Sequence, residues 1–234
     1  MIHGQIEEVT RVTTALITGA AGGIGYELVR QLAERGTTVI AACRKPGTEL
    51  EKLGVRVEAG VDIATDAGCA ALAARVAGVP LDLVIHNAGV LTPESLDALD
   101  DDACARIRLQ FEVNALAPLH LSALLAPQLA KGAKLVLITS RMGSMADNTS
   151  GGYYGYRMSK AAMNAAGRSL AHDLAPRGVA VALLHPGFVQ TPMTGGRGDV
   201  DPATAARNLI ARIDELTPAS SGGFVHANGS SLPW

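Results

Sequence analysis

Short apolar runs rich in Val, Ile and Leu alternate along the chain with longer Ala- and Leu-rich segments, and the two carry different periods. A compact apolar run bounded by turn residues reads as a strand buried on both faces; apolar residues recurring every three or four positions read as one face of a helix. On this basis residues 12–18 (VTTALIT) predict a first strand that runs into a glycine-rich turn. In 24–33, Ile24, Leu28 and Leu32 fall on one helical face. Strands are predicted at 38–42, 55–61 and 81–86, with a helix over 65–76. A long helical stretch over 101–130, expected to break into two helices, precedes a strand at 134–140 (KLVLITS). Residues 156–174 predict a helix stopped by Pro176 and Gly178. A strand at 179–184, a helix at 203–216 and a short strand at 223–226 complete the pattern, with irregular chain at 46–54, 91–96, 141–154 and 192–201. Strands alternating with helices predict a parallel sheet covered on both faces, and right-handed crossovers make it a doubly wound α/β fold of three layers, α/β/α.

Composition narrows the picture. The 234 residues are 48% apolar and 18% charged, which suits one ordered α/β domain over 1–234. The net charge of −2 comes with no basic tail or cluster, so a nucleic-acid partner is not expected. Cys43, Cys69 and Cys104 are odd in number and widely spaced, which argues against a disulfide framework or zinc site and fits a reducing cytoplasm. Residues 1–11 are polar, lack the apolar core of a secretory signal, and are read as a flexible extension. Nothing approaches the ~18 uninterrupted apolar residues of a membrane span, so no membrane partner is expected.

The candidate chemistry begins at the first strand's end, Thr18-Gly19-Ala20-Ala21-Gly22-Gly23-Ile24-Gly25. Glycines permit a tight turn and close backbone approach to a pyrophosphate, and the helix behind them supplies free N–H groups and the positive end of its dipole. The spacing is G-x-x-x-G-x-G rather than the strict dinucleotide fingerprint, and the plainer reading is a structural turn. The second strand runs out at Cys43-Arg44-Lys45, where an NAD site usually carries a carboxylate for the ribose 2′-hydroxyl. A guanidinium there suits a 2′-phosphate, which favours NADP(H) and leaves NAD(H) open; Arg44 and Lys45 can also be read as ordinary solvated charges.

Tyr156 and Lys160 stand at i and i+4, on one helical face. An ammonium beside a phenol is expected to lower the phenol's pKa and fit it for proton exchange. Ser140 ends the fifth predicted strand and Asn87-Ala88-Gly89 follow the fourth, both at the carboxyl edge of the sheet, where doubly wound folds bind ligands. Asn114 sits inside an apolar helical run, where a buried amide must find partners.

Together these motifs resemble the short-chain dehydrogenase/reductase family, a compact Rossmann-type dinucleotide-binding fold, over about residues 12–234. Asp62-Ile63 and Pro186-Gly187-Phe188-Val189-Gln190-Thr191 occur in the family's order with the rest. Ser140-Arg141-Met142-Gly143-Ser144, the stretch 147–154 and the Leu232-Pro233-Trp234 end are similar to a carbonyl-reductase-like group that includes the sniffer and C-factor proteins. The resemblance implies Tyr156 as proton donor or acceptor, Lys160 as its partner and a ribose ligand, Ser140 as holder of the substrate oxygen, and Asn114 as placing a water in the proton relay. It implies a cofactor cleft of Gly19, Ala21, Gly22, Gly23, Ile24, Gly25, Arg44, Asp62, Ile63, Asn87, Ala88, Gly89, Pro186, Gly187, Val189 and Thr191. The substrate implied is a small carbonyl or alcohol. Ser144 is a rival for the serine role, and His86 stands where the family usually has a first asparagine.

The histidines form no compact ligand pair, so no metal is expected. Neither G-x-S-x-G nor a P-loop occurs, which weakens hydrolase and nucleotidase readings. Asp97, Asp100, Asp101 and Asp102 read as a helix cap. In the family, helices such as 111–130 and 156–174 form subunit interfaces, so a homodimer or homotetramer is expected. The alternative is a cofactor-binding signalling protein of the C-factor kind with little turnover.

Overall fold

The computed structural model describes residues 13–234; the polar stretch 1–11 and Val12 lie outside the described residues. Its strands are β1 (Thr14–Thr18), β2 (Thr38–Ala42), β3 (Arg56–Glu58), β4 (Leu81–His86), β5 (Leu129–Ile138), β6 (Ala180–His185) and β7 (Gly223–His226). They form one seven-stranded sheet in the order β3-β2-β1-β4-β5-β6-β7, with every pairing parallel. Helices α1 (Gly23–Glu34) and α7 (Pro202–Glu215) cover one face, packing Leu28, Leu32, Leu209 and Ile213 on Ile17, Val39 and Ile85. On the other face, α3 (Asp66–Arg75), α5 (Ala117–Leu125) and α6 (Tyr154–Leu174) pack Leu72, Leu121 and Leu174 on Leu16, Ile40 and Leu135. Burial on both faces is why these strands read as unbroken apolar runs. The strand order reverses between β1 and β4, which opens a crevice at their carboxyl ends.

Three departures from the expected elements have local causes. The stretch 101–130 divides into α4 (Asp101–Phe111), a π-helical segment (Glu112–Leu116) and α5. Pro118 lacks the N–H that would bond the Asn114 carbonyl, and Ala117 N–H instead reaches back five residues to Glu112 O. The chain then turns out of the helix at Pro127, and β5 starts at Leu129 rather than at 134. Leu129 pairs with Leu81, but regular pairing resumes only at Lys134, after an irregularity that contains Gly132 at φ +82°. The strand stops at Ile138, so Ser140 does not end it but caps a short 3₁₀ turn at Arg141–Gly143. A further short helix, α2 (Thr48–Glu51), forms within 46–54 where Leu50 is buried.

His86, at the end of β4, is buried with Nε2 2.9 Å from Ser122 Oγ. Ser122 spends its hydroxyl proton on Pro118 O (2.6 Å), so His86 Nε2 is the donor of the pair and the buried Nδ1 has no partner among the described residues. Burial lowers the His86 pKa from 6.5 to about 4. Between those values the unfolded chain takes up a proton that the folded chain refuses, so stability falls as the pH is lowered. The expected loss is about 3 kcal/mol on acidification across that window. Urea titrations at neutral and acid pH measure it, and His86→Asn should flatten the dependence; an unchanged slope in the variant would contradict the assignment.

Candidate active site

The crevice between β1 and β4 is a cleft of about 770 Å³. Gly19, Ala21, Gly22, Gly23, Ile24 and Gly25 line one wall, where β1 turns into α1. Gly19 (φ +68°) and Gly23 (φ +53°) adopt the left-handed conformation that makes the turn tight. The N-cap of α1 is Gly22, which offers no side chain, and the first turn holds no acid. The free N–H groups and dipole therefore face the cleft, as an anion site requires. A Cβ on Gly25 would run into Gly19 O and Asn87 Nδ2, so the turn closes only around glycine.

Asn87, Ala88 and Gly89 form the opposite lip. Asn87 Nδ2 donates to Thr18 O (3.1 Å) and Gly19 O (3.2 Å), and the Asn87 and Ala88 N–H groups donate to Thr18 Oγ1 (3.2 Å each). Thr18 thus clasps the two strand ends. Sequence reasoning quoted it only as the first letter of the glycine motif.

Arg44, Lys45, Asp62 and Ile63 line the far end of the cleft. The Asp62 carboxylate accepts Ala64 N–H (3.1 Å), which fixes its turn. Arg44 and Lys45 are exposed, and among the described residues neither side chain is paired with a carboxylate. An uncapped helix end, a glycine cradle and two free cations fit a dinucleotide with an extra phosphate at the Arg44 end.

At the other end stand Tyr156 and Lys160, both buried and both lining the cleft from α6. Lys160 Nζ lies 5.8 Å from the Tyr156 ring centroid and donates to Ile138 O at 2.8 Å. The expectation of a net lowering of the phenol's pKa is corrected here. Burial pushes Tyr156 up to about 12, opposed by a hydrogen bond with Ser140, and burial pulls Lys160 down to about 7. Each desolvated group favours its neutral form, and at this separation that outweighs their mutual attraction.

The structure separates the two rival serines. Ser140 Oγ accepts Met142 N–H (3.1 Å) and lies close enough to the Tyr156 phenol to favour its ionised form. Ser144 Oγ instead donates to Trp234 O (3.2 Å) and accepts Asp147 N–H (3.1 Å), which ties the loop to the chain end. Asn114, fully buried on the π-helical segment, accepts Val90 N–H (2.8 Å) and donates to Val90 O (2.8 Å) and Ser159 Oγ (3.0 Å). Both its N–H groups are thereby used on protein atoms. Pro186 and Thr191 line the cleft, whereas Gly187 (φ +94°) and Val189, paired with Val200, do not. Val90, Leu109, Val113, Pro192 and Met193 also line it; they come from separate loops and helices and carry no sequence signal for a site.

Among the described residues no group of three or more His, Cys, Asp or Glu is placed to hold a metal ion, and no helix is long and apolar enough to cross a membrane.

Residues 13–201 match the short chain dehydrogenase family. The chain is 46% identical over 229 residues to 1-hydroxy-2-glutathionyl-2-methyl-3-butene dehydrogenase of Rhodococcus sp. (strain AD45), covering 95% of this chain and all of that one. Among solved structures, the carbonyl reductase Sniffer of D. melanogaster superposes with a TM-score of 0.87 at 27% identity, covering 96% of this chain and 100% of the other. The NADPH-bound carbonyl reductase from chicken fatty liver superposes with a TM-score of 0.85 at 28% identity, with the same coverage.

Proposed function

Because the chain belongs to the short chain dehydrogenase family, we propose that it is an NADP(H)-dependent oxidoreductase that interconverts a carbonyl and an alcohol, with residues 1–234 acting as one domain. The observation that carries this reading is the placement of Tyr156, near Ser140 and beside Lys160, at the inner end of a cleft whose outer end offers Arg44 and Lys45. When bound, the nicotinamide would supply or accept a hydride. Gly19, Ala21, Gly22, Gly23, Ile24 and Gly25 would hold the pyrophosphate, with Asn87, Ala88 and Gly89 lining the cleft beside it. Arg44 would bind the 2′-phosphate, Asp62 and Ile63 would contact the adenine, and Pro186 and Thr191 would hold the nicotinamide end. Ser140 orients the substrate oxygen. Tyr156, kept protonated by burial, donates a proton to that oxygen during reduction, and Lys160 stabilises the phenolate left behind. Asn114 braces the Val90 loop against Ser159, whose hydroxyl donates to Tyr156 O (2.9 Å). Gly187 and Val189 act by shaping the Pro186–Thr191 loop.

The Rhodococcus relative is named for an alcohol bearing a glutathionyl group. Glutathione-conjugated alcohols and their aldehydes therefore join small aldehydes, ketones and quinones as substrate candidates. Leu116, Leu119 and Met158 are apolar and 40–50% exposed on adjoining helical segments, which supports packing of two copies through this face. Three free thiols suit a reducing cytoplasm.

The test is cofactor consumption across that substrate panel with NADPH and with NADH. Wild type should prefer NADPH, and Tyr156→Phe should lose about 10²- to 10⁴-fold in kcat. Arg44→Asp should raise the KM for NADPH about 10- to 100-fold while sparing NADH, since a charge-assisted pair becomes a repulsion. Full activity of Tyr156→Phe would defeat the mechanism, and equal use of both cofactors would defeat the role of Arg44.

A further inference from the structure

The loop after β4 carries a buried carboxylate that the chemistry above does not use. Glu94 is 6% exposed and is surrounded by donors. Its Oε1 accepts the Gln110 amide N–H at 2.5 Å and the Thr92 hydroxyl at 3.0 Å, and its Oε2 accepts Gly155 N–H at 3.1 Å. Its main-chain oxygen accepts Tyr153 N–H at 2.9 Å. Gln110 is itself buried, and its Oε1 accepts Thr92 N–H at 3.1 Å, so its amide nitrogen is the end that faces Glu94. No cation among the described residues pairs with Glu94.

The partner that matters is α6. A helix leaves its first N–H groups without internal acceptors, and a nearby Ser, Thr, Asp or Asn usually serves them. Here the N-cap is Tyr153, held at φ +52°, with no side-chain cap and no acid in the first turn. The missing acceptor is Glu94, 61 residues earlier in sequence, and the N–H it takes belongs to the residue just before Tyr156. The fit is close: a Cβ on Gly155 would lie 3.1 Å from Ile107 Cα and would collide with Gln110 Nε2.

We propose that Glu94, oriented by Gln110, is a positioning residue for Tyr156. It docks the first turn of α6 onto α4 and the loop after β4, and so sets the phenol against Ser140 and Lys160. The proposal rests on the assignment of Tyr156 above. A buried carboxylate costs free energy that a local cap would not, and its position beside the proton donor gives that cost a use.

The experiment compares wild type, Glu94→Gln, Glu94→Gln/Gln110→Glu and Thr217→Ala, the last removing a cap just before the edge strand β7. Steady-state carbonyl reduction, NADPH binding and amide hydrogen exchange are measured on each. In Glu94→Gln a donor must face either Gly155 N–H or the Gln110 amide. The expected result is a fall in kcat of about 10- to 100-fold, as for a reacting group displaced by a fraction of an ångström. NADPH affinity should stay unchanged, with faster exchange confined to the first turn of α6. The swapped pair restores acceptors for the Gly155 and Thr92 N–H groups, so both kcat and protection should return; Thr217→Ala should alter neither. Should Glu94→Gln not fold, Thr92→Val removes only the hydroxyl donor and should give a smaller loss with the same exchange signature. Unchanged kcat, a loss of kcat without faster first-turn exchange, or a well-folded swap that rescues nothing would each overturn the proposal. If wild type itself shows no Tyr156-dependent turnover, the assignment of Tyr156 fails, while the exchange data still decide whether Glu94 holds α6.

Discussion

Lys160→Met is expected to give a protein that is more stable than the wild type and almost inactive. In the folded chain the Lys160 ammonium is desolvated and its pKa falls from 10.5 to about 7. Keeping this side chain buried at neutral pH therefore costs on the order of 4 kcal/mol relative to the unfolded chain. Methionine fills similar space without that penalty. The variant forfeits the hydrogen bond to Ile138 O, which offsets about 1–2 kcal/mol. The net gain should be about 2–3 kcal/mol, seen as a Tm higher by roughly 5–10 °C for a chain of this size. The sign of the pH dependence follows. Between about 7 and 10.5 the unfolded chain binds a proton that the folded chain lacks, so wild-type stability rises with pH across that window. The variant should lack this rise. Reduction by the wild type should decline as the pH passes about 7, where Lys160 loses the charge that stabilises a phenolate at Tyr156. Chemical denaturation at several pH values, beside turnover, checks both halves. A variant less stable than the wild type at neutral pH would show that burial of Lys160 does not destabilise the fold. Such opposition between stability and activity is common where a fold buries a functional charge.

Gly25→Ala should be nearly as damaging, through geometry rather than charge. The added methyl would overlap Gly19 O, a backbone atom that cannot swing aside, and Asn87 Nδ2. Relief requires the turn to open, which breaks the Asn87 bonds to Thr18 O and Gly19 O. The expected cost is about 1–3 kcal/mol of stability and about 100-fold in NADPH affinity, from loss of a preorganised anion cradle. Gly22→Ala is the matched contrast. Its φ of −173° is ordinary extended backbone, and a Cβ there meets nothing within 4 Å. It should fold as the wild type does and lose affinity only by intruding on the cleft. Calorimetric titration with NADPH, beside thermal unfolding, separates the two; equal behaviour of both variants would mean that the Gly25 contact does not hold the turn.

The chain's own periodicity determined the architecture. The apolar runs at 38–42, 81–86 and 223–226 became strands with those bounds, and 156–174 became all but the first two residues of α6. These features are local: period, turn glycines and helix-stopping prolines act over a few residues, so they survive being read in one dimension. For the same reason the glycine turn, the Tyr156/Lys160 spacing and the cations after β2 were legible as parts of a site. Tertiary structure decided how those parts work. Which serine meets Tyr156 depended on a loop tied to Trp234. The titration of Tyr156 depended on burial, which reversed the direction expected from its spacing to Lys160. The clasp at Thr18 and the hold of Glu94 on α6 join segments far apart in sequence. Desolvation and hydrogen bonding between distant segments exist only once the chain has folded, and they set the state and the position of every group that the sequence could merely name.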